Sequence, residues 1–98
     1  METLSEAIGR LEAAGYREGF RATREGLRAL ASGRSYAPES LVVDERLRFE
    51  GPTDPGDESL LFALRASDGV RGTWAIAYGP GVDPLDAEIV RRLSRLGR

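Results

Sequence analysis

The chain contains no histidine, cysteine, lysine, asparagine or glutamine, and all 14 of its basic residues are arginine. Without cysteine there is neither a disulfide framework nor thiol redox chemistry. Without histidine and cysteine, the ordinary ligand sets for zinc, haem and iron–sulfur clusters are missing, as are the two commonest nitrogen and sulfur nucleophiles. Without lysine there is no Schiff base and no phosphate-loop lysine. The sequence also lacks an apolar run long enough to span a bilayer, and it opens without a charged-plus-apolar leader. The side chains left for chemistry are carboxylates, hydroxyls, tyrosine and arginine. Arginine in place of every lysine is most simply a reflection of genomic base composition.

What is present describes one globular domain over residues 1–98. Forty-one per cent of the residues are hydrophobic and 31% charged, with a net charge of −2, which is a foldable rather than a disordered composition. A domain of this size buries roughly two-thirds of its unfolded surface and folds alone. The acidic balance disfavours bulk binding of nucleic acid. A cytoplasmic setting is expected, with no membrane partner, no cofactor and no metal.

The stretch 41–78 organises the domain. Three strand-favouring runs, LVVDERLRFE, SLLFALRA and VRGTWAIAY, are separated by the polar segment GPTDPGDE and by Ser67-Asp68-Gly69. A three-residue loop at 67–69 pairs Phe62 with Trp74 and Leu64 with Gly72, which puts both apolar sets on one face. It also sets Gly69 where a left-handed residue closes the turn. In the first run Val43, Leu47 and Phe49 share a face with Glu45 as the charged intruder, a mark of an edge or strand end. Asp44, Arg46, Arg48 and Glu50 make the other face.

Each end of the chain reads as a helix. Thr3 and Glu6 form a capping box ahead of an apolar stripe of Leu4, Ala7, Ile8 and Leu11, and Gly15 stops it. Asp83 caps the second helix, Pro84 takes its first position, and Leu85, Ile89, Leu93 and Leu96 form its stripe. Between them, Tyr16–Leu30 fits two patterns. As a hairpin with the loop Arg24-Glu25-Gly26, it pairs Phe20 with Leu30. As a helix it would align Arg17, Arg21, Arg24 and Arg28, at the expense of two interior glycines. The hairpin is favoured.

No complete catalytic signature emerges. Val42-Val43-Asp44-Glu45 matches the opening of a phosphoribosyl-pyrophosphate site, but Arg46-Leu47-Arg48-Phe49 continues the strand where a small-residue phosphate loop is needed. Asp54, Asp57 and Glu58 crowd one loop and offer oxygens that could hold Ca²⁺ or Mg²⁺, but the spacing is not that of an EF-hand and Asp-Pro-Gly-Asp is ordinary turn chemistry. Gly79-Pro80-Gly81 precedes a helix start, yet Asp83 and Asp86 would repel an anion there.

Thr3-Leu4-Ser5-Glu6-Ala7, Gly15-Tyr16 with Phe20, Pro38-Glu39, Arg48-Phe49-Glu50-Gly51, Asp54-Pro55 and Ala77-Tyr78-Gly79 together resemble a group of small uncharacterised bacterial proteins of about this length. Some of these carry the label phosphoribosylpyrophosphate synthetase. The true synthetase is a much larger two-lobed enzyme with histidine-containing ATP contacts and a complete phosphoribosyl loop. The resemblance therefore implies an architecture and no activity.

The expected fold is α+β, an antiparallel meander with both helices packed on one face in two layers. The expected function is a small binding or interaction module without catalysis, with self-association as one form. The alternative is an enzyme or sensor for a phosphorylated metabolite. The candidate binding residues are Arg48, Glu50, Arg65 and Arg71, on a sheet face whose centre is Leu61, Ala63, Thr73, Ala75 and Ala77. That face expects a cover: the 20–30 hairpin, a second subunit, or an anionic ligand clamped by Arg48, Arg65 and Arg71.

Overall fold

The computed structural model of the chain describes residues 2–50 and 58–96. Helix α1 (Leu4–Ala13) leads into strands β1 (Glu18–Thr23), β2 (Gly26–Ala29) and β3 (Ser35–Tyr36). A 3-10 turn (Pro38–Ser40) precedes β4 (Leu41–Glu50), β5 (Glu58–Ala66), β6 (Arg71–Ala77) and helix α2 (Pro84–Leu96). The fold is α+β, built on a six-stranded mixed sheet in the order β3-β2-β1-β6-β5-β4. Consecutive strands pair antiparallel within each half. The halves join through a short parallel pairing, Glu18 with Gly72 and Gly19 with Thr73. The expectation of a purely antiparallel sheet is corrected at this seam, which is non-local and carries no turn signal.

The local signals hold where they are local. Thr3 Oγ1 accepts from Glu6 N–H at 3.1 Å, and Thr3 N–H donates to Glu6 Oε1 at 2.8 Å, closing the capping box. Asp83 Oδ1 accepts from Leu85 N–H at 2.8 Å at the start of α2. The β5–β6 register pairs Phe62 with Trp74 and Leu64 with Gly72, and Gly69 takes φ +93° in the turn. The 16–30 segment is a hairpin, but Phe20 faces Ala29 rather than Leu30. The expected three-residue loop would have turned Arg28 toward the core beside Ala22. The observed register buries Leu27 and Ala29 instead and leaves Leu30 63% exposed.

The sheet is curled. Tyr36 at one edge and Leu41 at the other are five residue steps apart, at most ~18 Å of chain. Six flat strands would hold their edges ~24 Å apart, at ~4.8 Å per strand. The curl also brings Tyr36 Oη within 2.8 Å of Asp68 Oδ2 in the β5–β6 turn. Inside the curl, Ile89, Val90 and Leu93 of α2 pack with Phe20, Leu27, Leu41, Leu60, Phe62, Leu64, Trp74 and Ile76.

Helix α1 lies on the opposite, convex face. Ala7 and Leu11 pack there with Leu61 and Ala63, alongside Leu47, Phe49 and Tyr16. Alternate residues of β5 point to opposite faces, so the two helices sandwich the sheet. The expected packing of both helices on one face does not hold. Nor does the 20–30 hairpin cover the outer face: it extends the sheet sideways, and α1 does the covering.

Candidate functional site

The pairing of β4 with β5 decides where the expected site residues go. A register shift between Val43 and Glu45 marks a bulge at Asp44. One extra residue inverts the alternation, so Leu41 and Val43 face the concave core while Leu47 and Phe49 face α1. Beyond the bulge, Arg46 pairs with Phe62 and Arg48 with Leu60 on the concave side. Phe49 pairs with Ser59.

Arg48 and Glu50 therefore sit on one face of the sheet, and Arg65 and Arg71 on the other. The structure brings Arg65 and Arg71 together as cross-strand partners and separates both from Arg48. Arg48 is engaged by Glu58 at 2.7 Å and Glu50 at 3.7 Å. A three-arginine anion clamp is not assembled.

Arg65 and Arg71 belong instead to a closed polar network at the bulge. Arg65 donates to both carboxylate oxygens of Asp44, through Nε at 3.2 Å and Nη2 at 3.1 Å. Tyr16 Oη donates to Asp44 Oδ2 at 2.7 Å. The Arg71 guanidinium stands 5.3 Å from the centre of the Tyr16 ring, a cation–π distance. Arg65, and then the Tyr16 hydroxyl, hold the Asp44 carboxyl below its ordinary range. Asp44 in turn pushes the Tyr16 phenol up. The network ties the end of α1 to the edge strand, with both Asp44 oxygens engaged by Arg65 and Tyr16. Glu45 does the same work nearby, accepting from Arg10 of α1 at 3.3 Å. Its charged intrusion into an apolar pattern does mark an edge strand, since β4 ends the sheet.

A different feature lies on the concave side. The parallel pairing of β1 with β6 stops after Gly19 and Thr73, while β1 runs on to Thr23 and β6 to Ala77. Contact at the seam is very close: a Cβ on Gly72 would strike the Glu18 carbonyl and side chain. Past that pinch the strands part around a crevice of about 380 Å³. Phe20, Trp74 and Ile76 supply its apolar floor, Ala22 and Leu85 its walls, and Asp83 and Asp86 at the start of α2 its rim. Arg21 and Ala75, which alternate out to the convex face, border it at the gap between the strands. The crevice lies between the carboxyl-terminal halves of these two strands, past the last residues that pair.

The crevice is acidic. Asp83 is committed to capping the helix. Asp86 has no hydrogen-bond partner among the described residues, and partial burial, then the nearby Asp83 charge, push its carboxyl above the ordinary range. Among the described residues no three potential ligating groups gather as a metal site. The expected acidic loop at Asp54, Asp57 and Glu58 lies outside the described residues except for Glu58, which begins β5 and binds Arg48.

Sequence reasoning missed the crevice because it depends on a pairing between residues more than fifty positions apart. The available signals were Gly72 inside an otherwise strong strand, which marks close backbone approach, and an acid pair at a helix start.

No family model, no curated protein and no solved structure matches the chain.

Proposed function

We propose that the protein is a small binding module without catalytic machinery of its own, and that its ligand is a compact molecule with an apolar body and a protonated amine. The observation that carries this reading is the crevice between the parting ends of β1 and β6, a concave space whose exposed lining is more polar than apolar, with the largely buried Phe20, Trp74 and Ile76 beneath it and the unpartnered Asp86 carboxylate at its mouth. In concave sites of this kind a few polar groups fix a ligand's orientation. A cation beside Asp86 offsets both causes of its strain, since it replaces lost solvation and screens the Asp83 charge. A phosphate would meet two carboxylates there. The alternative expectation, a phosphorylated metabolite held through Arg48, Arg65 and Arg71, has its arginines divided between two faces and two of them bound to acids.

A cytoplasmic setting and kinship with the small bacterial proteins that the sequence resembles belong to the same proposal, supported by the cysteine-free composition and the residue pattern. No helix among the described residues is long and apolar enough to cross a membrane.

Melting curves with a panel of phenethylamine, cyclohexylamine, nucleotides and sugar phosphates test the reading. The amines raise the melting temperature and change Trp74 emission, and Asp86→Ala removes both responses. Stabilisation by the phosphates alone, lost on Arg65→Ala or Arg71→Ala, would transfer the site to the convex face.

A further inference from the structure

The arginines of residues 17–28 differ from the other arginines whose side chains are described. Among the described residues, Arg10, Arg34, Arg48, Arg65, Arg91 and Arg92 each have a carboxylate within salt-bridge range. Arg71 stands over the Tyr16 ring and Arg46 over the Phe62 ring. Arg17, Arg21, Arg24 and Arg28 have no carboxylate in that range among the described residues, and all four sit on the β1–β2 hairpin or its approach. Only Glu18 and Glu25 lie among them in sequence. The Glu18 carboxylate accepts from the N–H groups of Gly19 and Ala31, each at 3.1 Å, rather than from an arginine, and four arginines against two glutamates leave an excess of two positive charges here. A chain of net charge −2 thus concentrates uncompensated positive charge on one hairpin.

Geometry sharpens the contrast. Arg21 and Arg28 are register partners on adjacent strands, where like charges oppose one another at a cost. Both are exposed, and both alternate to the convex face. The half of that face nearest them has little cover: Ala75 and Ala77 are exposed and Thr73 half-buried. Leu30, 63% exposed, lies over Gly19 beside them. The result is an exposed area of small residues beside the β1–β6 gap, with one apolar side chain and an arginine pair at its border.

We infer that this half-face is a docking surface for an acidic segment of another protein, whose carboxylates bind Arg21 and Arg28 while Leu30 and the alanines meet its apolar side chains. Guanidinium groups suit carboxylates because two parallel N–H donors match two oxygens. Each such contact relieves the repulsion the hairpin carries when free. Arg21 and Arg28 on one side of the β1–β6 gap and Ala75 and Ala77 on the other are joined by a polypeptide, whereas a small anion reaches only the arginine pair. None of the residues named on this face is acidic, so a second copy docking through the same face would offer the arginine pair no carboxylate. Nucleic acid is opposed by the overall negative charge. The two sites meet at Arg21 and Ala75, which border the crevice from the convex side, while Phe20 and Ala22 face the ligand side and Arg28 and Leu30 belong to the docking face alone.

Anisotropy of a labelled octaglutamate peptide tests it. The parent protein binds saturably at low ionic strength and more weakly as salt rises. Arg21→Glu with Arg28→Glu weakens binding about tenfold or more, with an unchanged melting curve. Ala75→Glu, at an exposed position that leaves both arginines in place, sets a carboxylate into the face itself and also weakens binding, so the test survives a misfolded double variant. Equal peptide binding by parent and variants, or none by the parent, overturns the inference. So does tighter, Arg21- and Arg28-dependent binding of a single-stranded oligodeoxynucleotide of equal charge. A dimer seen by light scattering and broken by the variants also overturns it, in favour of a second copy.

Discussion

On the concave face of the sheet, α2 drives Ile89, Val90 and Leu93 into side chains drawn from five strands, β1, β2, β4, β5 and β6, and the curl closes around them. On the convex face, α1 buries Ala7 and Leu11 fully, over Leu61 and Ala63, and leaves Leu4 and Ile8 half-exposed. What the convex face lacks in apolar burial it makes up with polar ties, from Arg10 to Glu45 and from Tyr16 and Arg65 to Asp44. The concave side holds the domain together and also contains the crevice, whereas the convex side positions one helix and leaves Ala75 and Ala77 exposed.

The largest expected effect comes from the concave side. Leu93→Ala, at a fully buried position, should cost about 2–5 kcal/mol, the range for a truncated core leucine that leaves a cavity. Ile8→Ala on the half-buried stripe of α1 should cost no more than about 1.5 kcal/mol, since less apolar area leaves water there. Urea denaturation of both variants measures the gap. Equal losses would mean that α1 and α2 contribute alike, and the contrast between the faces would fail.

A smaller effect separates the polar ties. Asp44→Asn should cost about 1 kcal/mol at neutral pH, because it weakens hydrogen bonds to a charged group at a partly solvated site. Asp44 has a depressed carboxyl in the folded state. Its contribution is therefore present above the unfolded value, about 3.9, and is lost as pH falls through the folded one. The difference between parent and variant should close in acid. A difference constant down to pH 2 would show that charge at Asp44 is irrelevant.

The smallest expected effect has the opposite sign. Asp86 is raised in the folded state, so its ionisation costs stability: the folded chain gains relative stability below the unfolded value and loses it as pH rises through the folded one. Asp86→Asn should raise the melting midpoint slightly at pH 7 and not at pH 3. A lower midpoint at pH 7 would show that Asp86 serves the helix start rather than a ligand.

The sequence made the short-range structure legible. Thr3 with Glu6, Asp83 with Pro84, and Ser67-Asp68-Gly69 each carry their partners within a few residues, so composition and spacing were sufficient. The hairpin at 18–29 was legible as a hairpin but not in register, because Gly26 pointed to a longer loop than the burial of Leu27 and Ala29 permits. The bulge at Asp44 was invisible, since Val43, Leu47 and Phe49 keep a perfect alternation on paper and only the pairing with β5 shows one residue too many. That single residue sent Arg48 and Glu50 to the opposite face from Arg65 and Arg71 and dissolved the expected site. The crevice required the β1–β6 seam, which links distant segments through backbone contacts that leave no side-chain pattern beyond Gly72.

Amide chemical-shift mapping during titration with phenethylamine tests the central claim most directly. The account predicts saturable shifts confined to Phe20–Ala22, Trp74–Ile76 and Asp83–Asp86, on both strands of the gap and at the start of α2. No shift at millimolar amine, or shifts centred on Asp44, Arg65 and Arg71, would contradict it.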